Sequence, residues 1–223
     1  MGAVIGQVLP LALGVAISPI PIIAAILMLL SPKARVTSVG FLLGWVAGIV
    51  VAVTVFTLLA SVLPESGGDE SKPIQGTVQL LLGAGLLLLA LGQWRKRPKA
   101  GETAAMPKWM QAIDKVSFPL ALGLGFLLSA VNHKNLLMAA GAGVDIGNAA
   151  LTVGETIGVI AIYALIAAST VLIPVVGYLL AAEKLRGPLD SLRLWLAREN
   201  AVIMAVLLLV IGATLIGKGI GSF

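Results

Sequence analysis

Six runs in this chain are too long and too apolar to be hidden inside a soluble domain, and they limit what it can fold into more than any other feature. A membrane-crossing helix needs roughly 20 mostly apolar residues. Residues 4–30, 37–62, 74–93, 118–143, 151–181 and 200–220 all meet that requirement. The runs are continuous and do not alternate apolar with polar, so they read as helices and not as strands of a membrane barrel. The whole chain of 223 residues is 59% hydrophobic and 11% charged, against about 45–50% and about 25% in an ordinary soluble domain. One core of this size cannot bury so much apolar surface. A soluble enzyme, a nucleic-acid-binding module and a disordered chain are therefore excluded as readings. The chain has no Cys and one His, which removes thiol chemistry, disulfides and Cys-based zinc sites. No G-x-S-x-G and no G-x-x-x-x-G-K-[ST] occurs, so neither a serine hydrolase nor an ATP-binding loop is expected. The expectation is a protein that is not an enzyme and carries no cofactor or metal. The N-terminus, MGAVIGQVLP, has no basic stretch and no small-residue cleavage site, so it reads as part of the first span and not as a removed signal.

Charge orients the bundle. Lys33 and Arg35 lie in the first loop. Arg95, Lys96, Arg97, Lys99, Lys108 and Lys115 lie in the third, and Lys184, Arg186, Arg193 and Arg198 in the fifth. Twelve of the fifteen basic residues thus fall on one side, leaving Lys72, Lys134 and Lys218. The second loop is acidic on balance, with Glu65, Asp69 and Glu70 against Lys72. Basic loops stay in the cytoplasm, so both termini are expected outside. Beyond setting topology, such loops also offer sites for anionic lipid headgroups. Two cytoplasmic segments read as interfacial helices. One follows Pro107, with Trp109, Met110, Ile113 and Val116 on one face. The other spans 183–199 and follows Pro188; it turns Leu189, Leu192, Trp195 and Leu196 to lipid and Arg193 and Arg198 to water.

An internal repeat divides the chain. Pro10-Leu11-Ala12-Leu13-Gly14 recurs as Pro119-Leu120-Ala121-Leu122-Gly123, Val39-Gly40 with Gly44 recurs as Val153-Gly154 with Gly158, and Gly83-Ala84 recurs as Gly212-Ala213. The chain then reads as a first three-helix repeat over 1–93, a basic linker over 94–117, and a second repeat over 118–223. Three spans per half force opposite orientations, which makes an inverted-topology repeat, an arrangement typical of secondary transporters. Gly40, Gly44 and Gly48 on span two, and Gly154 and Gly158 on span five, are ladders of small residues that let helices approach closely.

Polar chemistry interrupts two spans at matching places. Ser18-Pro19-Ile20-Pro21 breaks the first span, because two prolines remove two backbone donors. It is either a packing kink or a break lining a cavity. At the equivalent place in the fourth span stand Asn132, His133, Lys134 and Asn135. A Lys at the bilayer centre costs about 2.5–3.5 kcal/mol even on a lenient scale. Either the span starts later and Lys134 snorkels to an interface, or the segment is a binding site. In the second case Lys134 supplies charge, Asn132 and Asn135 supply amide donors, and His133 titrates near neutral pH. Asp145 and Glu155 are candidate counter-charges or gating residues; the alternative is that both are solvated near the outer surface.

With these motifs the chain resembles the lysine-exporter (LysE) superfamily. Within it, Ser18-Pro19-Ile20-Pro21, Ser31-Pro32-Lys33-Ala34-Arg35 and Asn132-His133-Lys134-Asn135-Leu136-Leu137 look most like the GAP family of glycopeptidolipid- and sulfolipid-addressing proteins. The family's fourth-helix element reads Asn-Pro-Lys-Asn; here His133 stands in place of the Pro. The resemblance implies export of an amphiphilic cell-envelope lipid across a bacterial inner membrane. At superfamily level it also implies export of amino acids or ions. On that reading Lys134 holds an anionic headgroup, and Asn132, Asn135 and the freed backbone at Ser18, Pro19 and Pro21 hydrogen-bond it. Expected partners are a membrane lipid, further copies of the chain or a lipid-export or lipid-synthesis machine, and no nucleic acid. The competing expectations are a small-solute exporter and a non-transporting accessory subunit.

Overall fold

The computed structural model describes residues 1–62, 73–95 and 116–222. Residues 63–72 and 96–115 lie outside the described residues, and with them the second loop, most of the basic linker and the interfacial helix expected after Pro107 up to Val116, which is described and buried. Among the described residues there are helices and no strands: α1 (Gly2–Ala16), α2 (Pro19–Leu30), α3 (Ala34–Val62), α4 (Pro73–Arg95), α5 (Phe118–Ala130), α6 (His133–Gly147) and α7 (Val153–Ile220). α3, α4 and α7 are each long and apolar enough to cross a membrane, and α1 with α2 forms a fourth such unit, bent by 53°.

Both expected breaks are present, and their causes differ. A residue before proline is pushed out of the α region. Ser18 accordingly sits at φ −109°, ψ 100°, and Pro19 opens α2 at its first turn, where no N–H is missed. No proline stands at the second break. There Asn132 leaves the helix at φ −67°, ψ 122° and caps α6, its Oδ1 accepting from the Lys134 backbone N–H at 3.0 Å.

α7 has 68 residues. A straight helix of that length would run about 100 Å at 1.5 Å per residue, more than three times a hydrocarbon core of about 30 Å. The contacts show that it doubles back. Near its start, Gly158 meets Met1; further on, the Thr170 hydroxyl donates to the Ala16 carbonyl at 2.6 Å. Past the reversal Ile211 packs on Gly14, and Lys218 donates to the Gln7 carbonyl at 3.0 Å. The chain travels down α1 and returns up it. The non-helical backbone falls at Ala181 (φ −146°, ψ 52°), at the expected end of span five and not at Pro174.

Glycines set the tightest helix crossings. On α3, Gly40, Gly44 and Gly48 face Phe118, Leu122 and Ser129 of α5, while Gly125 of α5 faces the Phe41 carbonyl. A Cβ at any of these would meet backbone or a packed side chain. The second ladder does not behave this way. Gly154 faces open space and Gly158 meets only the end of the Met1 side chain. Gly83 and Gly212 approach reciprocally, each within about 3 Å of the other's carbonyl when a Cβ is built on it.

The fold places basic residues of the first and fifth loops together, since Lys33, Arg35 and Arg186 line one cavity. The segment over 183–199 departs from its expected faces. Leu189 and Leu196 are buried, whereas Leu192 and Trp195 are exposed. Arg193 is only 21% exposed and pairs with Asp190 at 2.7 Å. The apolar stripe therefore packs partly inward on the protein, which draws Arg193 in with it.

Candidate functional site

The two broken helices meet. A continuous helix would aim the Ser18 N–H at the Gly14 carbonyl, but the break turns it to Ala16 O at 2.9 Å. Val15 and Ile17 lose their helical donors outright, because Pro19 and Pro21 stand four residues on. The Gly14 carbonyl is taken instead by the Lys134 ammonium of α6, at 2.7 Å. Lys134 is 3% exposed. The lack of a side chain at Gly14 permits the approach, since a Cβ there would run into Met138 of α6 and Ile211 of α7. Among the described residues this carbonyl is the ammonium's sole hydrogen-bond partner and no carboxylate pairs with it.

The remaining residues expected at this site fall into three groups. Ser18, Pro19 and Pro21 are buried at the start of α2. Asn132 holds the N-cap of α6, and Asn135 is buried with its Nδ2 donating to the Leu128 carbonyl at 3.0 Å, a group the break in the fourth span leaves open. The Asn135 Oδ1 is buried with no partner, an energetically costly state unless something occupies the space beside it. His133 is exposed, so the structure does not bring its imidazole into the buried polar group.

Neither candidate counter-charge reaches Lys134. Asp145 is eleven residues further along α6, roughly 16 Å at 1.5 Å per residue. It is buried in a second polar cluster, where Lys218 Nζ pairs with Oδ2 at 2.8 Å and Gln79 Nε2 donates to Oδ1 at 2.9 Å. Glu155 closes a capping box at the start of α7: the Thr152 hydroxyl accepts from the Glu155 N–H at 3.3 Å, and the Glu155 carboxylate accepts from the Thr152 N–H at 3.0 Å. The cluster of Gln7, Gln79, Asp145 and Lys218 was missed as a unit in the sequence. Its signal is present, however: a Lys within an otherwise apolar final span requires a buried partner. No group of three or more His, Cys, Asp or Glu among the described residues is arranged to hold a metal.

Apolar helices long enough to cross a bilayer, a bent pair, and ionisable groups buried between them define a polytopic helical membrane protein. The model of one family, Sap, the sulfolipid-1-addressing proteins, matches residues 8–221, and the chain belongs to that family. No curated protein and no solved structure gives a significant match.

Proposed function

We propose that this protein moves an anionic, amphiphilic envelope lipid or its precursor across the membrane, with the meeting point of α1, α2 and α6 as the headgroup site. The observation that carries this reading is the Lys134 ammonium, buried and hydrogen-bonded to one carbonyl with no carboxylate beside it. A desolvated cation without a fixed counter-charge is costly, and an anionic ligand supplies the missing charge. The family's description, which names addressing of a sulfolipid, agrees in sign: a sulfated lipid is an anion with an apolar body. The unpartnered Asn135 Oδ1 and the carbonyls freed at Pro19 and Pro21 supply acceptors for sugar or glycerol hydroxyls.

In this reading the doubled-back α7 supplies two crossings, α1 with α2 and α5 with α6 supply one each, and α3 and α4 complete six. The two halves form an inverted pair. Support comes from the reciprocal Gly83–Gly212 approach, at positions that also match in the sequence repeat, and from the Lys134–Gly14 contact between the equivalent breaks. The basic loops face the cytoplasm of a bacterial inner membrane, with both termini outside. The protein has no catalytic role, and its energy comes from an ion gradient or a partner machine.

Mass spectrometry of lipids retained by the purified protein tests the proposal. An anionic glycolipid or sulfolipid retained by wild type and lost in Lys134→Ala is the expected result. A retained amino acid or inorganic ion, with no lipid dependent on Lys134, would favour small-solute export instead.

A further inference from the structure

A second cationic site lies away from Lys134, at the end of the bundle where the first and fifth loops meet. A cavity of about 480 Å³ is bounded by the Ser31–Val36 turn into α3 and by Tyr178, Ala182 and Arg186 of α7. Lys33, Arg35 and Arg186 are exposed, and no acidic residue lines the cavity. None of the three forms an ion pair among the described residues. Three like charges around one cavity repel one another, and an anion between them relieves that repulsion. The start of α3 adds its positive dipole end at the same place, since Ala34, Arg35 and Val36 are its first residues. The cavity is also built across a break: Tyr178 precedes the non-helical Ala181, whereas Ala182 and Arg186 follow it. A straight α7 would carry Arg186 past the turn.

We infer that this cavity is a binding site for a tetrahedral oxyanion, a phosphate or sulfate ester, borne on a membrane lipid. Two guanidinium forks and an ammonium match such a group in charge and geometry. The volume suits a headgroup and not a whole lipid. The surroundings point to a lipid and not to a free anion. Val36 on the wall is 53% exposed, and Leu180, beside the lining residues, is 83% exposed; apolar groups so exposed on a membrane helix face acyl chains. Basic cavities between membrane helices on the basic side hold anionic headgroups by the same physics. The site shares no residue with the one at Lys134, so it stands or falls independently of the transport reading.

The test is native mass spectrometry of the purified full chain in neutral detergent, titrated with phosphatidylglycerol and with phosphatidylcholine of the same acyl chains. Wild type is expected to prefer phosphatidylglycerol. The combined Lys33→Gln, Arg35→Gln, Arg186→Gln variant is expected to lower that affinity roughly tenfold or more and to leave phosphatidylcholine unchanged. Lys33→Arg, Arg35→Lys, Arg186→Lys keeps the charge but exchanges forks for point charges, and is expected to keep a weaker preference for phosphatidylglycerol. An unchanged preference in the glutamine variant overturns the inference. Displacement of the lipid by millimolar inorganic phosphate as readily as by phosphatidylglycerol would assign the cavity to a soluble anion and overturn the lipid assignment.

Discussion

Single residues carry the clearest contrasts. Gly14 and Gly123 occupy the same place in the sequence repeat, yet Gly14 is wedged against Met138 and Ile211 and Gly123 faces open space. Gly14→Ala is therefore expected to cost about 1–3 kcal/mol through overpacking, while Gly123→Ala stays within about 0.5 kcal/mol. Thermal melting in detergent measures both, and equal melting temperatures would remove the packing explanation for Gly14. The partly buried Asp145–Lys218 pair gives a second contrast. Lys218→Met leaves the buried Asp145 carboxylate with Gln79 alone and is expected to destabilise by about 1–3 kcal/mol. Adding Asp145→Asn should recover most of that loss, because the charge needing a partner is gone; a double variant no more stable than the single would mean that Lys218 acts through packing. At this scale the sequence was half legible. Lys134 stands out because it interrupts an apolar run, and its burial follows from its place mid-span. The role of Asp145 was not legible, because it depends on a residue 73 positions away; the signal for Glu155 is local, a Thr152-x-x-Glu155 capping-box pattern.

At the scale of elements, helix breaks position the site. The first was readable from Pro19 and Pro21, since proline acts locally and without regard to tertiary context. The second lacks proline and is made by Asn132 capping α6. Asn132→Ser keeps an accepting oxygen and is expected to be nearly neutral, whereas Asn132→Ala should cost about 1 kcal/mol and let the α5–α6 junction straighten. Hydrogen exchange at the Lys134 and Asn135 amides reports this directly; exchange in the Ala variant as slow as in wild type would show that packing, and not the cap, holds the break. Element boundaries in α7 were hardest to foresee. The sequence shows two apolar stretches with an amphipathic one between, but which face of 183–199 packs inward depends on what surrounds it. The partial burial of Leu189 and Leu196 is a tertiary fact.

The whole molecule reads as a membrane bundle from its apolar runs alone, and the described helices agree. The sidedness proposed for it rests on charge, with Lys33, Arg35 and Arg186 at one end and the Asp145–Lys218 cluster at the other. Single Cys residues placed at Thr152 and at Lys184 test this with an impermeant thiol reagent in intact cells. Labelling at 152 and protection at 184 are expected, and the reverse pattern would invert the orientation.

The measurement closest to the central claim is lipid movement in proteoliposomes by wild type, Lys134→Ala and Lys134→Arg, each checked for folding by size exclusion. Wild type should move an anionic glycolipid between leaflets. Lys134→Ala should lose that movement while remaining folded, and Lys134→Arg should recover only part of it, since a planar fork does not replace a compact ammonium beside Gly14. Undiminished movement in a folded Lys134→Ala protein would contradict the account.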